Sequence, residues 1–462
     1  MIISQIPVRP SREFRMPSTT ILTCRDWNFC RLRHRFLTFT LLICSAMTSI
    51  SAFADELKVD EVQRLIDAYT RKHPTAVVAA KIIRPAGDLF VTSGEFIPDG
   101  VVPPDKSAAE RSDTQKPNDK PARSADEHSL FALASVTKTF TGVLLALLAE
   151  KQVLSLGDPA SDYLPQAWKL PSEHQAGIER KISLVELATH SSGLPVQPPD
   201  IASFARQHQT ENNPYSLYDH KALEQSLSGV KLSHPIGEKY LYSNLGMGLL
   251  GHALADATKA ANFESALRTH LLDPLELHET RFHLTPEIQS RRVPTFNQQG
   301  IAAPTWSFAT LEACGGLHSS IHDLTRWVKA HWPPPNDDEK PLTDQKSQSQ
   351  QHASAEISAA FANSLKTHFP KQPDPLSTKL QMGLGWHLIT IPLPKNTTAD
   401  NQKNEHRPRM KRIAFHAGAT TASRSFVALD AEQRVGVILL ANVPHSLDEI
   451  GIQVMQRLLT HE

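Results

Sequence analysis

Cysteine is scarce in this sequence, and most of it lies where it cannot brace a folded body. Of the four cysteines, Cys24, Cys30 and Cys44 fall within the first 54 residues, leaving Cys314 alone in the remainder. A domain with one cysteine makes no internal disulfide, so its core must stabilise it unaided. The same shortage, together with the lack of a His-Glu-x-x-His pattern, removes the usual zinc ligand sets, and no metal or cofactor is expected. Net charge is also missing: 48 basic and 48 acidic residues cancel. That excludes the basic footprint of a nucleic-acid binder and gives no pull toward an acidic membrane surface. No internal repeat is evident.

Long hydrophobic runs are absent too. The run from Phe36 to Met47 is short and interrupted by Thr and Ser. Arg31, Arg33 and Arg35 precede it, and Ala52-Phe53-Ala54 offers small residues for cleavage. Residues 1–54 therefore read as a signal peptide cut near Ala54, which places the protein in the periplasm or outside the cell. A retained membrane anchor is the other reading of the same segment.

What is present is a long, proline-rich chain of alternating structural character. Val59 to Lys72 carries Val59, Val62, Leu65, Ile66 and Tyr69 at helical spacing. Ala76 to Ile83 and Leu89 to Thr92 read as strands. From Asp158 to Pro286 the pattern is mostly helical, and Ser183 with Glu186 forms a capping-box signature. Ser319 to Trp332 reads as a further helix. Phe415 to Thr420, Ser423 to Leu429 and Val435 to Ala441 are strand-like, and Ile450 to Leu459 closes as a helix. Three polar stretches, 98–127, 333–354 and 396–411, lack the apolar residues a core needs and read as insertions. Strands at both ends around a helical middle predict an α/β fold built from both termini with a helical lobe inserted.

Chemistry concentrates at Ser135-Val136-Thr137-Lys138. Apolar residues at 140, 143, 144, 147 and 148 predict a helix starting near Ser135, which sets Ser135 and Lys138 one turn apart on one side. The hydroxyl then lies at the positive helix end beside an amine that can take its proton. The spacing alone is weak, because Ser228 and Lys231 share it in a polar setting. Two later stretches give it partners. In Tyr242-Ser243-Asn244, a phenol beside a cation can relay a proton, and Asn244 can hold both the lysine and a substrate amide. In His416-Ala417-Gly418, a glycine on an edge strand permits close backbone approach.

In this order the three motifs resemble those of the penicillin-recognising serine hydrolases, in the branch with class C β-lactamases, D-Ala-D-Ala carboxypeptidases and related esterases. Glu186 to Pro195, Gly315 to Ser320 and Gly383-Leu384-Gly385-Trp386 look familial as well. The resemblance implies an antiparallel sheet flanked by helices, an all-helical lobe and a cleft between them. On that basis residues 55–462 form one β-lactamase/transpeptidase-like domain, with the α/β lobe at about 55–157 and 300–462 and the helical lobe at about 158–299. It also implies roles. Ser135 is the acylated nucleophile, Lys138 its proton acceptor or charge partner, and Tyr242 the general base and acid. Asn244 positions substrate, His416 and Gly418 line the strand edge, and the backbone of Ser135 and Ala419 forms the oxyanion hole. Whether Lys138 or Tyr242 takes the first proton stays open.

The third motif departs from the Lys-Thr-Gly of the wider superfamily. With His416 in place of a fixed cation, a D-Ala-D-Ala carboxypeptidase-like peptidase ranks first, an esterase second and a β-lactamase third. The substrate is accordingly a small molecule or a cell-wall peptide. A catalytically silent binding protein on the same fold is the rival. An ordinary histidine titrates near pH ~6.5, so carboxylate substrates are expected to bind more tightly in mild acid, unless Arg424 supplies a permanent charge. The other histidines (His174, His190, His252, His318, His322 and His331) read as helix-surface or loop residues.

Overall fold

The computed structural model describes residues 57–97, 122–175, 177–334, 348–371, 380–394 and 409–460. The signal segment, most of the stretches 98–127 and 396–411, and the middle of 333–354 lie outside these residues. Among the described residues no helix is long and apolar enough to cross a membrane.

The first and last parts of the chain meet in one seven-stranded antiparallel sheet. Its strands are β1 (Val78–Ile83), β2 (Leu89–Ser93), β3 (Gln381–Met382), β4 (His387–Pro392), β5 (Met410–Ala419), β6 (Arg424–Asp430) and β7 (Val435–Ala441). Their order is β2-β1-β7-β6-β5-β4-β3, so β1 pairs directly with β7, Val78 opposite Ala441. All seven residues of β7 are buried, as a strand covered on both faces requires. The two-residue period divides them: Val437 and Leu439 pack with one cluster, Ile438 and Leu440 with the other.

On the first face lie helix α1 (Val59–Lys72) and the C-terminal helix (Asp448–Thr460), whose Val62, Ile66, Tyr69, Val454 and Met455 join Val437 and Leu439. On the other face lies α2 (Thr137–Glu150). Every residue from Thr137 to Leu148 is buried, so this helix is enclosed on all sides. At ~1.5–3 kcal/mol for each large apolar side chain, its Phe140, Val143, Leu144, Leu147 and Leu148 form a rigid base for whatever its first turn carries. Gly142 allows that seating, because a Cβ there would lie 2.0 Å from the Leu384 carbonyl oxygen. The capping box at Ser183 and Glu186 is present and opens the Leu184–Ala188 helix.

Several boundaries differ from the sequence reading. A helix over Gln348–Ser364 enters the stretch read as the 333–354 insertion. Its Ala-rich composition favours a helix, and Phe361 and Ala360 anchor it in the core. At the end of the 98–127 insertion, Arg123–Ser124 pairs with Glu95–Phe96, Ala125 is buried, and Glu127 holds Lys81 at 2.5 Å. Strand β5 likewise begins at Met410, inside the 396–411 stretch. The Ser319 to Trp332 helix is shorter, Ile321–Lys329, with Ser320 as its N-cap. His190, His318 and His331 are buried, not on the surface, because packing that no local pattern reveals encloses them.

Candidate active site

Ser135 lies on a single 3-10 turn, Ala134–Val136, that leads into α2. Ala134 adopts φ 46°, a left-handed conformation costly for a residue with a Cβ, immediately before the hydroxyl. The turn is held from the sheet: Ser425 on β6 donates its hydroxyl to the Leu133 carbonyl at 2.6 Å. Gly418 on β5 completes the contact, since a Cβ there would lie 2.1 Å from Leu133 O and 3.1 Å from Ser135 N. Glycine is thus demanded by the approach of strand to turn. Ala419, the next residue, is exposed at the end of β5 opposite Arg424.

The two expected partners converge on Ser135 Oγ. Lys138 Nζ lies at 3.1 Å and the Tyr242 hydroxyl at 2.7 Å. Lys138 is 0 % exposed and also donates to the Cys314 carbonyl oxygen, with the Tyr242 ring 4.8 Å from its ammonium. Burial lowers the Lys138 pKa from 10.5 to about 8, partly opposed by Cys314. Burial raises that of Tyr242, with the Ser135 hydrogen bond acting the other way. The two groups are pushed toward neutrality together: an amine that can accept a proton and a phenol that keeps its own.

Tyr242 is fixed by the chain around it. Ser243 caps helix α3 (Asn244–Ala257), accepting from Gly246 N at 2.9 Å and donating to Pro195 O at 2.7 Å. Asn244 N donates to Val196 O, and Ser243 N donates to His190 Nδ1 at 3.1 Å. The segment Glu186 to Pro195, conspicuous in the sequence, is therefore part of the clamp on the Tyr-Ser-Asn turn. Asn244 does not hold the lysine as expected. Its amide nitrogen donates to the Tyr215 hydroxyl at 3.2 Å and its buried Oδ1 has no partner among the described residues, while Lys138 turns to Ser135 and Cys314.

His416 overturns the expectation placed on it. It is 1 % exposed, and burial, reinforced by His387 and Lys138, holds its pKa well below 6.5. Its Nδ1 donates to the Ala417 carbonyl at 2.9 Å, so Nε2 is a bare lone pair with no partner among the described residues. A histidine in that state is an acceptor and has nothing to offer a carboxylate. Arg424 does not replace it. Ser425 faces the Leu133 carbonyl beneath the Ser135 turn, so its neighbour Arg424 points to the opposite sheet face, where it donates to Thr420 O and lies near Tyr69.

The sequence reading missed three contributors. Tyr215 orients Asn244, and the Cys314 carbonyl receives Lys138. His387, directly after the familial Gly383 to Trp386 segment, bonds the Tyr240 hydroxyl at 3.0 Å. A cavity of about 650 Å³ lies among Asp219, His252, Asn262 and Glu312. None of the catalytic candidates lines it, so size alone does not locate the chemistry. Among the described residues, His128, Glu279 and His322 have metal-ligating atoms within 4.8 Å of one another. Arg291 and Ser320 already hold that Glu279.

Known proteins share this fold. A class C β-lactamase mutant superimposes with TM-score 0.62 at 18% identity, covering 88% of this chain and 100% of that one. The β-lactamase/D-alanine carboxypeptidase from Pseudomonas syringae gives 0.60 at 19%, covering 87% and 98%. In sequence, the β-lactamase of Escherichia coli (strain K12) is 26% identical over 331 residues, 68% of this chain and 76% of that one. Protein flp of Staphylococcus aureus (strain MW2) is 25% identical over 334 residues, 70% of this chain and 56% of that one. The Beta-lactamase family profile matches residues 65–460, most of the chain, and the protein belongs to that family of serine hydrolases.

Proposed function

We propose that this hydrolase cleaves uncharged acyl esters through an acyl-enzyme on Ser135. The neutral fraction of Lys138 accepts the Ser135 proton as Oγ attacks the ester carbonyl. Tyr242, still protonated, donates to the departing alkoxide and recovers its proton from the Lys138 ammonium. Water then repeats the sequence on the acyl-enzyme, its proton restoring Ser135 and its hydroxide leaving with the acid. The turn at Ser135 and the exposed end of β5 at Ala419 are the natural sides of an oxyanion hole.

The observation that carries the choice of substrate is the setting of His416: enclosed, with its Nδ1–H committed to the Ala417 carbonyl, where burial disfavours the charged ring. Peptides ending in D-Ala and β-lactams both present a carboxylate, and the third motif gives it no cation. A charge-assisted hydrogen bond is worth about 1.5–3 kcal/mol, roughly ten- to a hundredfold in rate or affinity. A nitrophenyl ester should therefore exceed a D-Ala-D-Ala peptide and a chromogenic cephalosporin in kcat/KM by at least about tenfold. Faster turnover of either carboxylate substrate would sink the ester assignment. The second reading, a D-Ala-D-Ala carboxypeptidase, is favoured by similarity to the Pseudomonas syringae protein of that description.

Export is part of the same proposal: cleavage near Ala54 should appear as a new N-terminus on the protein recovered from the periplasm or medium. Recovery of the full-length chain in the membrane fraction would instead favour the anchor.

A further inference from the structure

Around Lys138 and Tyr242 the fold places three enclosed imidazoles: His190, His387 and His416. His387, 3 % exposed at the first residue of β4, is their hub. Its ring centroid lies 4.7 Å from that of His416, 6.4 Å from Tyr242, near-parallel at 21°, and 6.5 Å from His190. His190 lies 4.5 Å from Tyr242 on its own account. The catalytic phenol thus has two imidazoles packed beside it, one from the helical lobe and one from the sheet.

The two imidazoles grip different parts of that turn. His190 receives Ser243 N–H, just after Tyr242, and its carbonyl receives Leu241 N–H at 2.8 Å, just before it. His387 bonds the Tyr240 hydroxyl, one alternation earlier, and so joins the turn to the sheet. Tyr242 itself carries no other hydrogen bond than that to Ser135 among those described, so its aim depends on its neighbours. We propose that His387 is a positioning residue, holding the Tyr240–Tyr242 segment so that the Tyr242 hydroxyl meets Ser135.

The charged and titratable groups facing His387 are Lys138 from α2, His190, Tyr240 and Tyr242 from the helical lobe, and His416 from β5. Burial and Lys138 keep the His387 ring neutral, with its pKa lowered to about 4, which leaves Lys138 the cation of this cluster. A ring of such low basicity suits the role, because it can bond a phenol without competing with Lys138 for the Ser135 proton.

This inference rests on the acyl-enzyme reading of Ser135, and its test separates the two. A fluorophosphonate probe reports covalent reaction at Ser135 whatever the natural substrate. The wild type should label, and His387→Phe, which keeps an aromatic ring but removes the bond to Tyr240, should label about tenfold more slowly at saturating probe. Half-saturation should stay within about twofold. Tyr240→Phe should match it, and the double variant should lose no more than either single one. His387→Gln, which can bond the Tyr240 hydroxyl, should recover much of the rate. A purely structural histidine would instead lower the unfolding midpoint and leave the labelling rate of folded protein intact. Wild-type labelling in Tyr240→Phe overturns the inference even where His387→Phe does not fold. Absence of label on wild-type Ser135 overturns the acyl-enzyme reading instead.

Discussion

Replacing Lys138 by Met tests the electrostatics of the site through stability and rate together. The methionine keeps the length of the side chain and removes its charge. Burial takes the lysine from 10.5 to about 8, a difference of about 3 kcal/mol between its protonated and neutral forms. Below pH 8 the amine is protonated in folded and unfolded chain alike, and the fold bears that cost in full. Between pH 8 and 10.5 the folded protein has released the proton while the unfolded chain keeps it, so stability rises with pH. Relative to Lys138→Met, the wild type should therefore gain about 3 kcal/mol across that window. Urea unfolding of both proteins at pH 7, 8.5, 9.5 and 10.5 measures the difference, and the titrations of groups remote from Lys138 cancel in it. The loss of the hydrogen bonds to Ser135 and Cys314 sets a constant offset of about 1 kcal/mol each without altering the slope. The same titration governs catalysis. At pH 7 about a tenth of Lys138 is neutral, so acylation should rise about tenfold per pH unit below 7 and level off above about 8. A stability difference that is flat from pH 7 to 10.5 would refute the argument, as would a pH-independent acylation rate.

Other outcomes follow from the same geometry. Ser135→Ala should abolish covalent labelling, and a labelled variant would reassign the nucleophile and reopen the silent-binder reading. Tyr242→Phe should fold and lose roughly 10²–10⁴ in rate, so an unchanged kcat would move the leaving-group proton to another residue. The affinity for a carboxylate substrate, relative to its methyl ester, should stay level from pH 7 to 6, because His416 gains no charge there and Lys138 is already mostly protonated. A tightening in mild acid that disappears in His416→Ala would restore the charged histidine. Phe361→Ala should cost about 3–5 kcal/mol, since this ring is 1 % exposed and lies 5.0 Å from Trp327 and 4.5 Å from His331. A change under 1 kcal/mol in urea unfolding would detach the Gln348–Ser364 helix from the core.

The sheet was legible because its apolar runs leave little choice: Val435 to Ala441 is a strand in sequence and structure alike. The Ser-x-x-Lys and Tyr-Ser-Asn elements, each weak alone, were legible because they occur together and in order with His416-Ala417-Gly418, and their side chains stand at helix starts. Gln348 to Ser364 hid its helix in alanine, serine and glutamine, with its buried anchor, Phe361, beyond the stretch that looked most polar. Backbone contributors leave no mark in residue identity, so the Cys314 carbonyl could not be found. Nor could the character of His416. A histidine letter carries no desolvation, and this ring's neutrality comes from strands and helices that assemble around it.

The pairing of β1 with β7 has a consequence for biosynthesis. The chain is made from one end, yet β1 waits for a neighbour some 360 residues later, Val78 opposite Ala441. The catalytic turn waits as well, because the Leu133 carbonyl is held by Ser425, 292 residues further on. Contacts of such separation form last and slowly. A nascent chain carrying Ser135 therefore lacks the strand edge that shapes its turn until β5 and β6 have emerged. A chain interrupted before Ser425 has Ser135 but not the hydroxyl that holds the Leu133 carbonyl beside it.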